Sequence, residues 1–283
     1  MKTKFLVPVD FTKTSFSAYH YANQLAHHCN GDITLLHIIH GSLATSETQF
    51  LDTLDIAMKA ATGRLKYFCQ KYPSELGYNL HRVKTNREVR FGVPGYTVTD
   101  YAHDNHYDYI IAGTRDNHSI LDKALGTTSH TLAKTSKVPI LFIHENTHFV
   151  KPQKIVFALD NIEDFDESIP DFVRFNKSFG ASVVFVHVKS EPETKNKAIN
   201  TLINEILKEK NPGFSFEVKT INGGDTIQSV IDFTIFEKAD MLVLVHRKKS
   251  LFQKMLSRSV SIKAIDKIHL PILWLTEQTG FNN

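Results

Sequence analysis

Short, nearly continuous apolar runs alternate along this chain with longer stretches whose apolar residues recur at helical spacing. The runs in the first half include Phe5-Leu6-Val7-Pro8-Val9, Leu35-Leu36-His37-Ile38 and Val138-Pro139-Ile140-Leu141-Phe142-Ile143. Between the first two, Ala18, Ala22, Leu25, Ala26 and Cys29 predict a helix stopped by Asn30-Gly31. Phe50, Leu54, Ala57, Ala61, Leu65 and Phe68 predict a longer helix ending before Pro73. Apolar strands joined by amphipathic helices imply a parallel sheet covered on both faces.

The pattern then repeats. Asp10 closes the first run and His37 lies in the second, and Asp160 and His187 occupy the same places in the second half, at one constant offset. Asp108-Tyr109-Ile110-Ile111-Ala112 matches Asp240-Met241-Leu242-Val243-Leu244, and Val138-Pro139-Ile140 matches Leu270-Pro271-Ile272, at a second offset shorter by 18 residues. The second copy has lost residues around its second helix and third strand, where Ile199, Leu202, Ile203 and Ile206 form the helical stripe before Asn211-Pro212-Gly213. Each half therefore reads β-α-β-α-β-α-β-α-β. The expected fold class is α/β: two doubly wound parallel five-stranded sheets in tandem repeat. The domains are placed at 1–147 and 152–283, with a polar link carrying Pro152 near residue 150.

Composition narrows the picture. A chain of 283 residues suits two domains, and 42% hydrophobic with 22% charged residues is the balance of a globular protein. A formal charge of +3, from 33 basic and 30 acidic residues, argues against a nucleic-acid partner. Cys29 and Cys69 stand apart and outside any CxxC pattern, which suits a reducing compartment. The apolar stretch after the basic N-terminus stops at Asp10, too short for a signal peptide, and no run reaches the length of a membrane span. The expectation is a cytoplasmic protein with no membrane partner.

Open parallel sheets bind ligands beyond the carboxyl ends of their strands, where strand order reverses. Asp10 ends the first strand and Gly113 follows the fourth; Gly126-Thr127-Thr128 opens a helical segment after the loop Gly113 to Ser119. Glycine admits close approach of a backbone, and a helix N-terminus offers free N–H groups to an anion. The same glycines also serve a plain turn and cap.

Gly113, two residues, Asp116, nine residues and Gly126-Thr127 resemble the G-x-x-G-(nine residues)-G-[ST] motif of nucleotide-binding universal stress proteins, with Asp116 in place of the second glycine. Val7-Pro8-Val9-Asp10-Phe11-Thr12 and Leu36-His37-Ile38 resemble that family's first and second strand ends. The resemblance covers nearly the whole chain, once per half. It implies an adenine nucleotide alpha hydrolase-like fold and a stress-response protein that binds ATP, with magnesium, or a related adenine nucleotide in its first half. It also implies a nucleotide site at Pro8, Asp10, Ile38, Ala112, Gly113, Asp116, Gly126, Thr127 and Thr128. Asp10 would face the adenine or ribose, Ile38 would line the base pocket, and Gly113, Gly126, Thr127 and Thr128 would hold ribose and phosphates. A carboxylate at Asp116, about 5 Å from a phosphate oxygen, costs roughly 3 kcal/mol, against about 0.3–1 kcal/mol returned by a helix end. Family members pair through their final strands, which implies an intramolecular pseudo-dimer or a homodimer.

The second half lacks the motif. Val245 stands for Gly113, Lys248 for Asp116 and Arg258-Ser259 for Gly126-Thr127. His246-Arg247-Lys248-Lys249 reads as a solvated basic loop or an anion or partner site. His27-His28-Cys29, and His103 with His106 at helical spacing, are incomplete as metal motifs and read as solvated helix ends. His37 and His187 are expected to be hydrogen-bonded near strand ends, and Tyr19, Tyr21 and Phe50 to lie in the core. No S-G-G-x-D-S, G-x-x-x-x-G-K-[ST], G-x-S-x-G or H-E-x-x-H motif is present, so no catalytic residue is expected. Two functions remain: a nucleotide-responsive regulator, and a nucleotide-independent interaction module with relic pockets.

Overall fold

The computed structural model describes residues 2–41, 47–114, 127–159, 162–188, 201, 203–205, 207–209, 211–222, 226–246 and 269–276. The chain separates into two compact units, with the main division between Phe149 and Val150.

In the first unit the elements run β1 (Lys4–Pro8), α1 (Lys13–Cys29), β2 (Asp32–Ile39), α2 (Glu47–Gln70), a short α3 (Tyr72–Glu75), β3 (Thr85–Phe91), α4 (Pro94–Asp104), β4 (Tyr109–Thr114), α5 (Thr127–Thr135) and β5 (Ile140–His144). The strands lie in the order β3-β2-β1-β4-β5, all parallel. Leu6 is flanked by Thr34 on one side and Ile110 on the other. Leu6, Val7, Ile33, Leu35, Leu36, Ile110, Ile111 and Ile140 are wholly buried, as parallel strands covered on both faces require.

Local chemistry sets the helix limits. Thr12 caps α1, its hydroxyl accepting from the Ser15 amide at 3.3 Å, and Asn30 in the left-handed region ends it. Phe16, Ala18, Tyr19, Tyr21, Ala22, Leu25 and Ala26 form its buried face. On α2, Ala61, Leu65 and Phe68 are buried, while the Phe50 side chain lies outside the described residues. The helical stripe breaks after Gln70, and Pro73 then sits inside α3, where a first-turn proline loses no hydrogen bond.

The second unit repeats the plan with β6 (Lys154–Leu159), α6 (Ile162–Asn176), β7 (Ser182–Val188), β8 (Phe216–Ile221), α7 (Thr226–Phe236), β9 (Met241–His246) and β10 (Ile272–Thr276). Its order is β8-β7-β6-β9-β10, again parallel throughout. Phe157, Phe172 and Phe185 are buried in its core and interlock with the half-buried Phe214 and Phe216 at ring separations of 5.0–6.3 Å. Ile203 and Leu207, at helical spacing, are fully buried.

The repeated aspartates do the same job twice. Asp108 accepts the Lys4 amide at 2.8 Å and returns its own N–H to the Lys4 carbonyl at 3.0 Å. Asp240 accepts the Lys154 amide at 3.0 Å and donates to the Lys154 carbonyl at 2.8 Å. Each pins the strand that follows it to the first strand of its own unit. That is the physical content of the repeat.

Candidate functional site

Strand order in the first unit reverses between β1 and β4, and the crevice beyond their carboxyl ends holds a cavity of about 980 Å³. Its lining includes Pro8, Asp10, Thr12, Thr14, Ala112, Gly113, Thr128 and Ser129, together with Ile38, Ala57, Ala61, Arg64, Val93 and Val98. The sequence-predicted residues Pro8, Asp10, Ile38, Ala112, Gly113 and Thr128 therefore share one cavity. Thr127 opens α5, but its side chain, Asp116 and Gly126 lie outside the described residues.

The β1–α1 loop gives the crevice its shape. Asp10 lies two residues past the end of β1 rather than closing it, because the strand ladder stops at Pro8. Its Oδ1 accepts from the Thr12 amide at 3.1 Å and from the Thr12 hydroxyl at 2.5 Å, a side-chain turn that leads into the helix cap. Phe11 then takes φ +64°, a left-handed backbone rare for a bulky residue. Its ring is held by His37 at 4.5 Å, by Phe68 at 5.8 Å and by the Arg64 guanidinium at 4.1 Å.

His37 sits within β2 rather than after it. The Val9 carbonyl at 2.7 Å can only accept, so Nδ1 of His37 carries the hydrogen. Burial holds its pKa below the ordinary 6.5; the Val9 bond pulls it up, and the charge on Arg64 pushes it further down. His187 in the second unit contacts the Thr220 hydroxyl at 2.9 Å through Nε2.

Gly113 lies inside β4, paired with Ile143, and not in the loop after it. A Cβ there would stand 2.5 Å from the Thr14 carbonyl oxygen, so the glycine is required by the first turn of α1. Its own carbonyl accepts from the Ser129 hydroxyl at 3.1 Å, which fixes α5 beside the strand end. In the second unit Val245 pairs with Leu275 at the equivalent register and is buried. Asp160, Arg247, Lys248, Lys249, Arg258 and Ser259 lie outside the described residues.

Several contributors escaped the sequence reading. Arg64 and Phe11 line the cavity, and Glu145 grips the start of α1, with Lys13 Nζ at 3.1 Å and the Thr14 hydroxyl at 3.0 Å. Partial burial raises the Glu145 pKa, but the bonds from Lys13 and Thr14 outweigh it and hold the carboxyl below its usual range. The small residues Ala57 and Ala61 within an otherwise bulky stripe were the available signal that α2 leaves space there.

The histidine segments meet aromatic neighbours. His27 stacks on His81 at 3.8 Å, His28 lies 5.8 Å from Phe149, and burial pushes the half-buried Cys29 thiol up. His103 and His106 do not share a helical turn, because α4 ends at Asp104 and His106 takes a left-handed backbone. Among the described residues, no three His, Cys, Asp or Glu side chains come together to hold an ion. Cys29 and Cys69 are free thiols. No helix among the described residues is long and apolar enough to cross a membrane.

A parallel sheet of this order, with an open crevice at its reversal, defines a doubly wound α/β protein, here built twice in one chain. The family model of the universal stress proteins matches residues 1–144, and the chain belongs to that family. Universal stress protein YxiE of Bacillus subtilis (strain 168) is 21% identical over 152 residues, spanning 50% of this chain and 99% of that one. A universal stress protein from Archaeoglobus fulgidus DSM 4304 shares the fold across 99% of this chain and 97% of its own, with 16% identity and a TM-score of 0.70. A functionally unknown protein from Pseudomonas aeruginosa PAO1 does so across 98% and 93%, with 14% identity and a TM-score of 0.56.

Proposed function

We propose that the first unit binds an adenine nucleotide, ATP or a relative, and that occupancy regulates which protein partner the chain engages. The observation that carries this reading is the cavity at the strand-order reversal, where Pro8, Asp10, Ile38, Ala112, Gly113 and Thr128 converge. Ile38, Ala57, Ala61 and Val98 give an apolar wall of the kind a base occupies, and Thr128 and Ser129 place hydroxyls at the start of α5. Asp10 is the one carboxylate among the described lining residues, suited to a ribose or an amino group and not to a phosphate.

The second unit acts, in this reading, through interaction and not through a nucleotide. Val245 stands at the position that Gly113 holds in the first. The chain works by binding rather than by turnover.

Native mass spectrometry of the freshly purified full chain tests the proposal. The expected result is an adduct with the mass of an adenine nucleotide, present on isolation or after ATP is added. A chain that isolates bare and takes up no added ATP would overturn it.

A further inference from the structure

The segment that leads out of the first unit lies along α1 as a ladder. Glu145 binds Lys13 and Thr14, the Asn146 amide donates to the Ser17 hydroxyl at 3.4 Å, His148 meets His20 edge-on at 6.0 Å, and Phe149 packs against Tyr21 at 5.4 Å. The far rungs are built from imidazoles. His20, Gln24, His27 and His28 follow one another at the i, i+4, i+7 and i+8 spacing of one helix face. The loop before β3 adds Tyr78, 4.6 Å from His20 and 6.5 Å from His148, and His81, stacked on His27 with planes 3° apart. Asn23 pins that loop, exchanging hydrogen bonds of 2.8 and 3.1 Å with the backbone of His81.

One contact makes this cluster sensitive to protons. The Gln24 amide stands between two imidazole nitrogens, Nε2 of His81 at 2.7 Å and Nε2 of His20 at 3.5 Å. An amide offers one acceptor side and one donor side. Whichever way it is turned, one imidazole must present a bare nitrogen, so the relay cannot stand with both rings protonated. A second charge on the stacked His27 and His81 pair adds repulsion at 3.8 Å.

We propose that this cluster is a pH-operated clasp, closed at neutral pH and released on acidification, for the segment Glu145–Phe149 that leads towards the second unit. The groups facing His20 are Phe16 and Gln24 on its own helix, Tyr78 and His81 from the loop, and His148 from the outgoing segment. Burial first, then the charges of His148 and His81, hold His20 below its ordinary 6.5. The docked state thus prefers the neutral ring. Its stability is complete above pH 6.5 and declines as the pH falls from there toward the lowered folded value, because the released state takes up the proton first. The clasp does not depend on a nucleotide in the cavity.

Residue-resolved amide exchange of the full chain at pH 7.5 and 5.5, corrected for the intrinsic pH dependence, tests it. The His81 amide (bonded to Asn23) and the Thr147 amide (bonded to the His144 carbonyl at 3.0 Å) are expected to lose protection at pH 5.5. From His20 alone the loss reaches at most about tenfold at pH 5.5, one unit below the ordinary 6.5. The core amide of Ile33 is expected to hold. Nuclear Overhauser contacts between Tyr21 and Phe149 should fade over the same range. His20→Phe and His148→Phe keep a ring without a proton, and each should flatten the response. Equal protection of the parent at both pH values, or an undiminished acid response in whichever variant folds, would overturn the clasp.

Discussion

A Cβ at Gly113 would lie 2.5 Å from the carbonyl oxygen of Thr14, closer than any side chain is tolerated against backbone. The glycine thus lets α1 settle on β4 and leaves the cavity beside it open. Gly113→Ala is expected to shift the helix start and to lower stability by about 1–3 kcal/mol, as overpacking does. A denaturant midpoint unchanged from the parent would show that the helix yields freely.

Among the described residues, Glu145 in the first unit and Glu237 in the second contribute to acid stability. Glu145 is held below its ordinary 4.5 as described, and Glu237 is lowered by bonds from Lys219 at 2.8 Å and Lys154 at 3.1 Å, despite burial that raises it. Each contribution is present above pH 4.5 and is lost as the pH falls through the lower folded value. The partner lysines are well exposed, so each pair is worth only about 0.5–1 kcal/mol. Glu145→Gln and Glu237→Gln should each lower stability at pH 7 and flatten its decline between pH 5 and 3. A slope identical to the parent in both variants would remove these pairs from the account.

Arg64 should be readable through His37. Burial is the larger cause of the depressed His37 pKa, and Arg64 adds to it. Arg64→Met keeps an apolar stem over Phe11 and deletes the charge. The His37 pKa, followed by imidazole proton shifts, should rise part of the way toward 6.5. No rise would mean that the Arg64 charge does not stand near His37.

The fold was legible because its signals are local and doubled. Buried strands wrote themselves as apolar runs, and the Asp108 and Asp240 pair kept the spacing that revealed the repeat. The cavity was legible where strand ends carry it, at Pro8, Asp10, Ile38 and Ala112. Gly113 was placed one step too late in the chain, since a glycine in a strand and a glycine in a phosphate loop look alike until the facing helix is seen. Arg64 was missed because an apolar helix stripe does not say which neighbouring polar positions line space, and Phe11 because its left-handed backbone in the β1–α1 loop leaves no mark in the sequence. The imidazole cluster joins positions 20, 81 and 148, whose meeting is a property of the tertiary fold alone.

The central claim is one adenine-nucleotide site per chain, in the first unit, and calorimetric titration of ATP into the full chain tests it most directly. The expected result is a single saturable site with a dissociation constant between about 1 μM and 1 mM, about 8 to 4 kcal/mol of binding. Ala57→Trp, which places an indole in the cavity from α2, should abolish it while circular dichroism stays that of the parent. Two equivalent sites, no saturable heat, or undiminished binding by a folded Ala57→Trp chain would contradict the account.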